Sequence, residues 1–463
     1  MIVILYVMDS LRPDFLSCYG YGKETSPHID GLAREGVLFT HAFSQSTWTR
    51  PAGASLLSST YPSVHGILTH HDELDPAVPL LPEALKRIGF RTVALSSIGN
   101  ISPGFGFARG FDRFIELYKE EAVAAKREKM KLEGEGYRFH FRVNQETVPI
   151  ATSEDINEYL FPLLEENRDQ DLFVLIWSID THNPYFHRDP AKAKFSPSAN
   201  KIFWSREISM MRNQEDLARL RSLYEDMIYY NDYHIGRLMD KLKERNLFDE
   251  TLFILTGDHG ESFQEHGVTS HGGIPYDEQI RIPLVMKFPG RLFRGRVDGL
   301  AQQIDVAPTV LDYLHHPGEE MLIQGKSLLP LLREGREVNE FAFVEYQLKP
   351  RLHKTYALRT RDTKYIEMAS GKLILQRSLK SMLWPLVWLV AKPRIVFDLK
   401  EDPAERVNRI KDHKGKGEDF HRLVRKILEE SKNLARGLKR GKKKKPQVDE
   451  QVAKQLKAMG YFD

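Results

Sequence analysis

The chain has 463 residues, 41% of them hydrophobic, and a formal charge of only +3 with both signs spread along most of its length. That length suits one large α/β domain with a smaller appendage, and the near-neutral balance leaves no electrostatic footprint for a nucleic-acid partner. A lone cysteine, Cys18, excludes an intramolecular disulfide framework. With a first segment that shows no charged leader or cleavage site, this leads us to expect a cytoplasmic protein.

In chain order, short apolar β-branched runs alternate with amphipathic segments, the pattern of a mostly parallel sheet covered by helices on both faces. Strands are predicted at Ile2–Met8, Thr92–Leu95, Leu172–Ile179, Thr251–Leu255 and Leu284–Lys287. Helices are predicted at Pro27–Glu35, Leu80–Ile88, Ser153–Glu166 and from about Gln214 to Glu244. In the last of these Leu217, Leu220, Tyr224, Met227, Ile228, Asn231 and Ile235 recur at helical spacing and read as core. Tyr118–Val148 and Phe186–Asn213 fit the alternation badly; they are either ordinary surface excursions or insertions near a substrate entrance.

Beyond residue 335 the chain turns β-rich, with runs at Glu340–Tyr346, Thr355–Thr360, Lys364–Met368, Lys372–Leu375 and Arg394–Leu399. We expect a small antiparallel sheet with a helix there. The basic run from Lys439 to Lys445 reads as a solvated linker, followed by a short helix Val448–Met459. The expected division is a catalytic domain over 1–335, a C-terminal subdomain over 336–412, and a basic linker with a terminal helix over 413–463. The apolar stretch Met382–Ala391 contains Pro385 and falls well short of the roughly 20 residues that span a bilayer. Beside Lys380, Lys392 and Arg394 it reads as buried or as lying on a membrane surface. Nothing in the sequence determines the oligomeric state.

Cleaving an ester at sulfur or phosphorus requires a positioned divalent ion, a nucleophile, donors for the equatorial oxygens and an acid for the leaving group. Asp9 ends the first predicted strand, at the carboxyl edge where open parallel sheets place ligand sites. Asp258 and His259, flanked by Gly257 and Gly260, follow another strand at the same edge and offer a carboxylate and an imidazole to one ion. His266 and His271 lie within reach of that turn, and His271, before Gly272 and Gly273, is the better placed. Pro51 suits the first turn of a helix that begins near Thr49. The Thr49 hydroxyl then stands at a positive helix end, either as a simple N-cap or as a nucleophile beside an ion.

These residues and their order resemble the sulfatases of the alkaline phosphatase superfamily. The similarity runs through Val7 to Asp14, Thr25 to Phe39 and Pro51 to Gly66. It continues in Asp180-Thr181-His182-Asn183-Pro184-Tyr185, Thr256 to Gly260, Ile282 to Val285, Gln303 to Thr309, Gly325 to Leu328 and Phe397 to Pro403, and ends with Met459-Gly460-Tyr461. The resemblance implies an alkaline-phosphatase-like α/β fold with a smaller C-terminal antiparallel subdomain. It makes Asp9, Asp258 and His259 metal ligands, and Thr49 a metal-bound nucleophile. It has His182 and His271 contact the ester oxygens or protonate the leaving group. Asn100 falls where sulfatases show a Gly-Lys-Trp-His-like segment and would donate to the substrate.

The departures are chemical. Sulfatases convert the Cys or Ser of a C/S-x-P-x-R motif to formylglycine; the matching positions here are Thr49, Pro51 and Gly53, so neither that residue nor the motif's arginine is present. Ser10 replaces the second acid of the usual Asp-Asp pair, and His259 replaces an Asn. The set is similar to that of the phosphonate and phosphodiester hydrolases and threonine-dependent phosphotransferases of the superfamily. It implies one divalent ion or two, manganese or zinc in preference to calcium. The leading expectation is hydrolysis of a sulfate ester or a phosphate mono- or diester through Thr49. The alternatives are transfer of the same group to a lipid or glycan hydroxyl, and a non-catalytic module of the same fold.

Overall fold

The computed structural model describes residues 1–132, 140–143, 146–189, 193–196, 202–203, 208, 211, 213–347, 354–368, 394–438 and 446–459. Its large sheet is built from β1 (Ile2–Met8), β2 (Val37–Phe43), β3 (Arg91–Ser96), β4 (Arg113–Glu116), β5 (Leu172–Ser178), β6 (Thr251–Gly257), β7 (Arg281–Lys287) and β8 (Gly295–Gln302). The spatial order is β8-β2-β7-β6-β1-β5-β3-β4. All seven residues of β1 are buried, which a strand with no polar face requires. It lies between β5 and β6 and runs parallel to both. β7 runs antiparallel to β2 and β6, so the sheet is mixed.

Alternate residues of the central strands feed two cores. Val3, Leu5, Val7, Phe173 and Trp177 face one side; Ile2, Ile4, Tyr6, Val174 and Ile176 face the other. On the second side lie α1 (Pro27–Glu35), α3 (Ser153–Glu166) and the 31-residue α4 (Gln214–Glu244), with the bounds expected from periodicity. On the first side lies α2 (Thr49–Ser58), every residue of it buried. β2, β4 and β8 were not predicted. β4 has four residues, and β8 carries Arg296, Asp298 and two glycines on a sheet edge, so neither shows an apolar run.

A four-stranded antiparallel sheet follows, formed by β9 (Ala342–Tyr346), β10 (Thr355–Arg359), β11 (Thr363–Met368) and β12 (Arg394–Asp398). Its period-two alternation sends Ala342, Val344, Ala357 and Ile366 onto Phe43, Tyr276 and Leu300 of the large unit. The opposite face sends Phe343, Leu358 and Tyr365 onto Phe420, Val424 and Ile427 of α5 (Lys414–Gly437). That 24-residue helix stands where the sequence suggested the start of a linker: its apolar stripe, diluted by charges, is covered by the small sheet. A last helix, α6 (Glu450–Ala458), returns to the large unit, with Val452, Leu456 and Met459 in its core.

The runs Lys372–Leu375, Met382–Ala391 and Lys439–Lys445, with Lys380 and Lys392, lie outside the described residues. Among the described residues, no helix is long and apolar enough to cross a membrane.

Candidate active site

The register of the central strands sets the site. Met8 pairs with Ser178 of β5 and with Gly257 of β6. The next residues of three adjacent strands, Asp9, Ile179 and Asp258, therefore leave the sheet at one carboxyl edge. Ser10 turns the chain there in a left-handed conformation (φ 59°), and its N–H donates to Asp258 Oδ1 at 2.9 Å. Gly260 lets this turn close against the neighbouring loop: a Cβ on it would stand 2.1 Å from the Glu278 carbonyl oxygen.

Asp9, Asp258 and His259, all buried, each offer one ligand atom within 4.8 Å of the others. Asp258 Oδ1 accepts from the N–H groups of Ser10 and His259, whereas its buried Oδ2 has no hydrogen-bond partner. His259 Nδ1 lies 2.8 Å from the Gly260 carbonyl, which can only accept; Nδ1 therefore carries the proton and Nε2 presents a lone pair to the two aspartates. Burial and the charge of Asp9 push the Asp258 carboxyl well above its usual range. Burial and the neighbouring His271 bring His259 down to about 3. An unpartnered carboxylate oxygen facing a second carboxylate and an imidazole lone pair is a donor set that fits a divalent ion.

α2 brings the fourth group. Trp48 is extended, the helix starts at Thr49, and the Thr49 hydroxyl lies 3.2 Å from His259 Nε2 and 3.4 Å from Asp9 Oδ2. The predicted residues Asp9, Thr49, Asp258 and His259 thus meet at one point. Ser10, at the position of the missing second acid, donates to Asp9 Oδ1 at 2.9 Å.

Two predicted histidines close over this group. His182 and His271 have ring centroids 5.0 Å apart, and His271 is 4.4 Å from His259. His182 Nδ1 bonds the Asn183 carbonyl at 2.7 Å, and its buried Nε2 has no partner. Burial lowers its pKa; Asp9 opposes that shift and His271 adds to it. Burial works against charge on His271 as well, but Glu261 outweighs it and the His271 pKa is raised. His266 is elsewhere, stacked on Tyr276 at 3.6 Å with Nδ1 on Glu278. Asp180 is turned away, accepting from Ser153 N at 2.8 Å.

Asn100 is buried and bonded to Arg50, the neighbour of Thr49. Its Oδ1 accepts from Arg50 Nη2 at 2.9 Å, while Nδ2 has no partner. Arg50, next to Thr49, is fully buried with its guanidinium 3.4 Å from the Phe105 ring centroid. No motif pointed to Arg50, Glu261 or Trp177. Only Glu261 carried a local signal, as the acid two residues after His259.

The comparisons with known proteins agree with this architecture. A model of the sulfatase family matches residues 2–316, and one described as N-sulphoglucosamine sulphohydrolase, C-terminal, matches residues 265–373. The multifunctional alkaline phosphatase superfamily protein PehA of Trinickia caryophylli is 26% identical over 88% of this chain and 90% of its own. An arylsulfatase of Clostridium perfringens is 21% identical over 92% of this chain and 94% of its own. The crystal structure of a phosphonate monoester hydrolase of Agrobacterium radiobacter is similar with a TM-score of 0.72 and 21% identity, over 93% of this chain and 95% of that one. Matched along most of its length and sharing the fold, this chain belongs to the sulfatase family, as a hydrolase of sulfuric or phosphoric esters.

Proposed function

We propose that the protein hydrolyses a sulfate ester or a phosphate mono- or diester with Thr49 as the nucleophile, in a reaction that depends on one divalent ion. The observation that carries this reading is the Thr49 hydroxyl, within 3.4 Å of Asp9 and 3.2 Å of His259 at the start of a buried helix. Asp9, Asp258, His259 and Thr49 would hold the ion, which supplies Lewis-acid polarisation of the ester and of the threonine hydroxyl. Two carboxylates, an imidazole and a hydroxyl favour manganese or zinc over calcium, which takes six to eight oxygen ligands.

The chain's own groups supply the rest. The positive end of α2 favours the anionic ester in front of Thr49. Thr49 Oγ1, ionised beforehand by loss of its proton to solvent, attacks sulfur or phosphorus, which breaks the bond to the alcohol and leaves a threonine ester. His271, whose charged form Glu261 favours against burial, gives its Nε2 proton to the departing alkoxide, and the neutral ring then accepts a proton from the water that breaks the threonine ester and returns Thr49 ionised. His182, neutral with an acceptor Nε2, suits a hydroxyl or water next to the reacting centre. Asn100 Nδ2 is a donor for a substrate oxygen, its amide fixed by Arg50.

The test pairs elemental analysis of the purified protein with a panel of aryl sulfates, phosphates, phosphodiesters and phosphonates. We expect turnover of at least one class and a loss of about 10³-fold or more in Thr49→Ala. Unchanged turnover in that variant would rule out Thr49 as the nucleophile.

A further inference from the structure

We infer that Trp177 is a positioning residue of the ion site, orienting Asp9 from β5. The inference rests on the ion reading of Asp9, Asp258 and His259. Trp177 is fully buried as the penultimate residue of its strand, paired with Val7 on one side and Ser96 on the other. Its Nε1–H donates to Asp9 Oδ2 at 3.3 Å, the same oxygen that faces the Thr49 hydroxyl at 3.4 Å.

The ring also closes the helix surface one turn beyond Thr49. A Cβ on Gly53 would lie 2.9 Å from Trp177 Cη2 and 2.7 Å from Ile101 Cδ1. Any longer side chain there would have to displace the indole. Position 53, where the resembled motif carries its arginine, is therefore glycine because the space is taken, and Asp9 receives its donor from the neighbouring strand. That donor is neutral and rigid, so the carboxylate is oriented without added positive charge. Partners that orient a ligating carboxylate typically contribute 10–100-fold to metal affinity.

The experiment is Trp177→Phe, which keeps a ring over Gly53 and deletes the N–H. Mn²⁺ and Zn²⁺ affinities are measured without substrate, by competition with a chromophoric chelator, and the melting temperature of the ion-free protein is recorded alongside. We expect affinity to fall about tenfold or more with melting little changed, and Ile101→Val, which alters only the packing beside Gly53, to bind like the wild type. A folded Trp177→Phe protein with wild-type affinity overturns the inference while leaving the ion site intact. A wild-type protein that binds neither ion overturns both. Should Trp177→Phe not fold, the wild type decides: Zn²⁺ moves an indole N–H signal in a ¹⁵N spectrum if Trp177 contacts a ligand of the ion, and five unmoved indole signals sink the idea.

Discussion

Glu261 Oε2 lies 3.3 Å from His271 Nδ1 and takes a second hydrogen bond, at 2.7 Å, from the Tyr185 hydroxyl. The contact favours the charged form of the imidazole that packs against His259 and His182, and it engages Nδ1 so that the reaction falls to Nε2. Glu261→Gln and His271→Ala should each reduce kcat by about 10²-fold on esters of poor leaving groups such as alkyl alcohols. The loss should shrink for a nitrophenyl ester, whose leaving group needs no proton. Equal losses on both substrates would show that His271 is not the acid.

The unpartnered Asp258 Oδ2 leads to a trade of stability for binding. Asp258→Asn keeps the acceptor used by Ser10 and His259, and replaces an oxygen that has no partner and whose charge burial and Asp9 oppose. With chelator present, the variant should be more stable to urea than the wild type by on the order of 1 kcal/mol. With Mn²⁺ at about 100 times the wild-type Kd, the order should reverse, because ion binding adds about 2.7 kcal/mol to the wild type only.

Lys364 joins the small sheet to the large unit. Its ammonium is buried, 2.8 Å from Asp277 and 2.7 Å from Glu405. Arg359 and Lys364 overcome burial and hold the Asp277 carboxyl far below its usual range. A depressed carboxylate stabilises the fold above the ordinary carboxylate range, and that contribution is lost as the pH falls. Lys364→Met should cost about 3–5 kcal/mol at neutral pH by leaving buried carboxylates without their cation, and should flatten the acid side of the stability curve measured by urea unfolding.

His266 has the opposite sign. Burial opposes its charge, but Glu278 and Glu405 raise its pKa, and Nε2 reaches the Ala404 and Glu405 carbonyls. The stabilisation is complete below the ordinary histidine value and disappears as the pH rises through the raised one. Hydrogen exchange in residues 263–270, corrected for intrinsic rates, should therefore be better protected at pH 6 than at pH 8.5. His266→Gln should remove the difference.

Much of this was legible in the chain because it is local. α1, α3 and α4 follow from apolar spacing, and the seven-residue run of β1 marks a central strand. The candidate ligands Asp9, Asp258 and His259 follow strand ends, so the carboxyl edge on which they meet was legible too. α5 was not, since seven basic residues dilute its apolar stripe and its cover comes from the small sheet. Trp177 reads in sequence as one more core residue.

The sequence alone determined which groups are available: two aspartates and a histidine after apolar strands, a threonine at a helix start, and no cysteine at its place. Only the tertiary structure decided that residues as far apart in the chain as Asp9 and His259 share one buried edge. It also decided that Trp177 fills the space above Gly53. Spacing encodes which face of an element is apolar, a short-range property. Which strand lies beside which, and so which side chains meet and what charge they carry there, depends on packing and desolvation across the whole sheet.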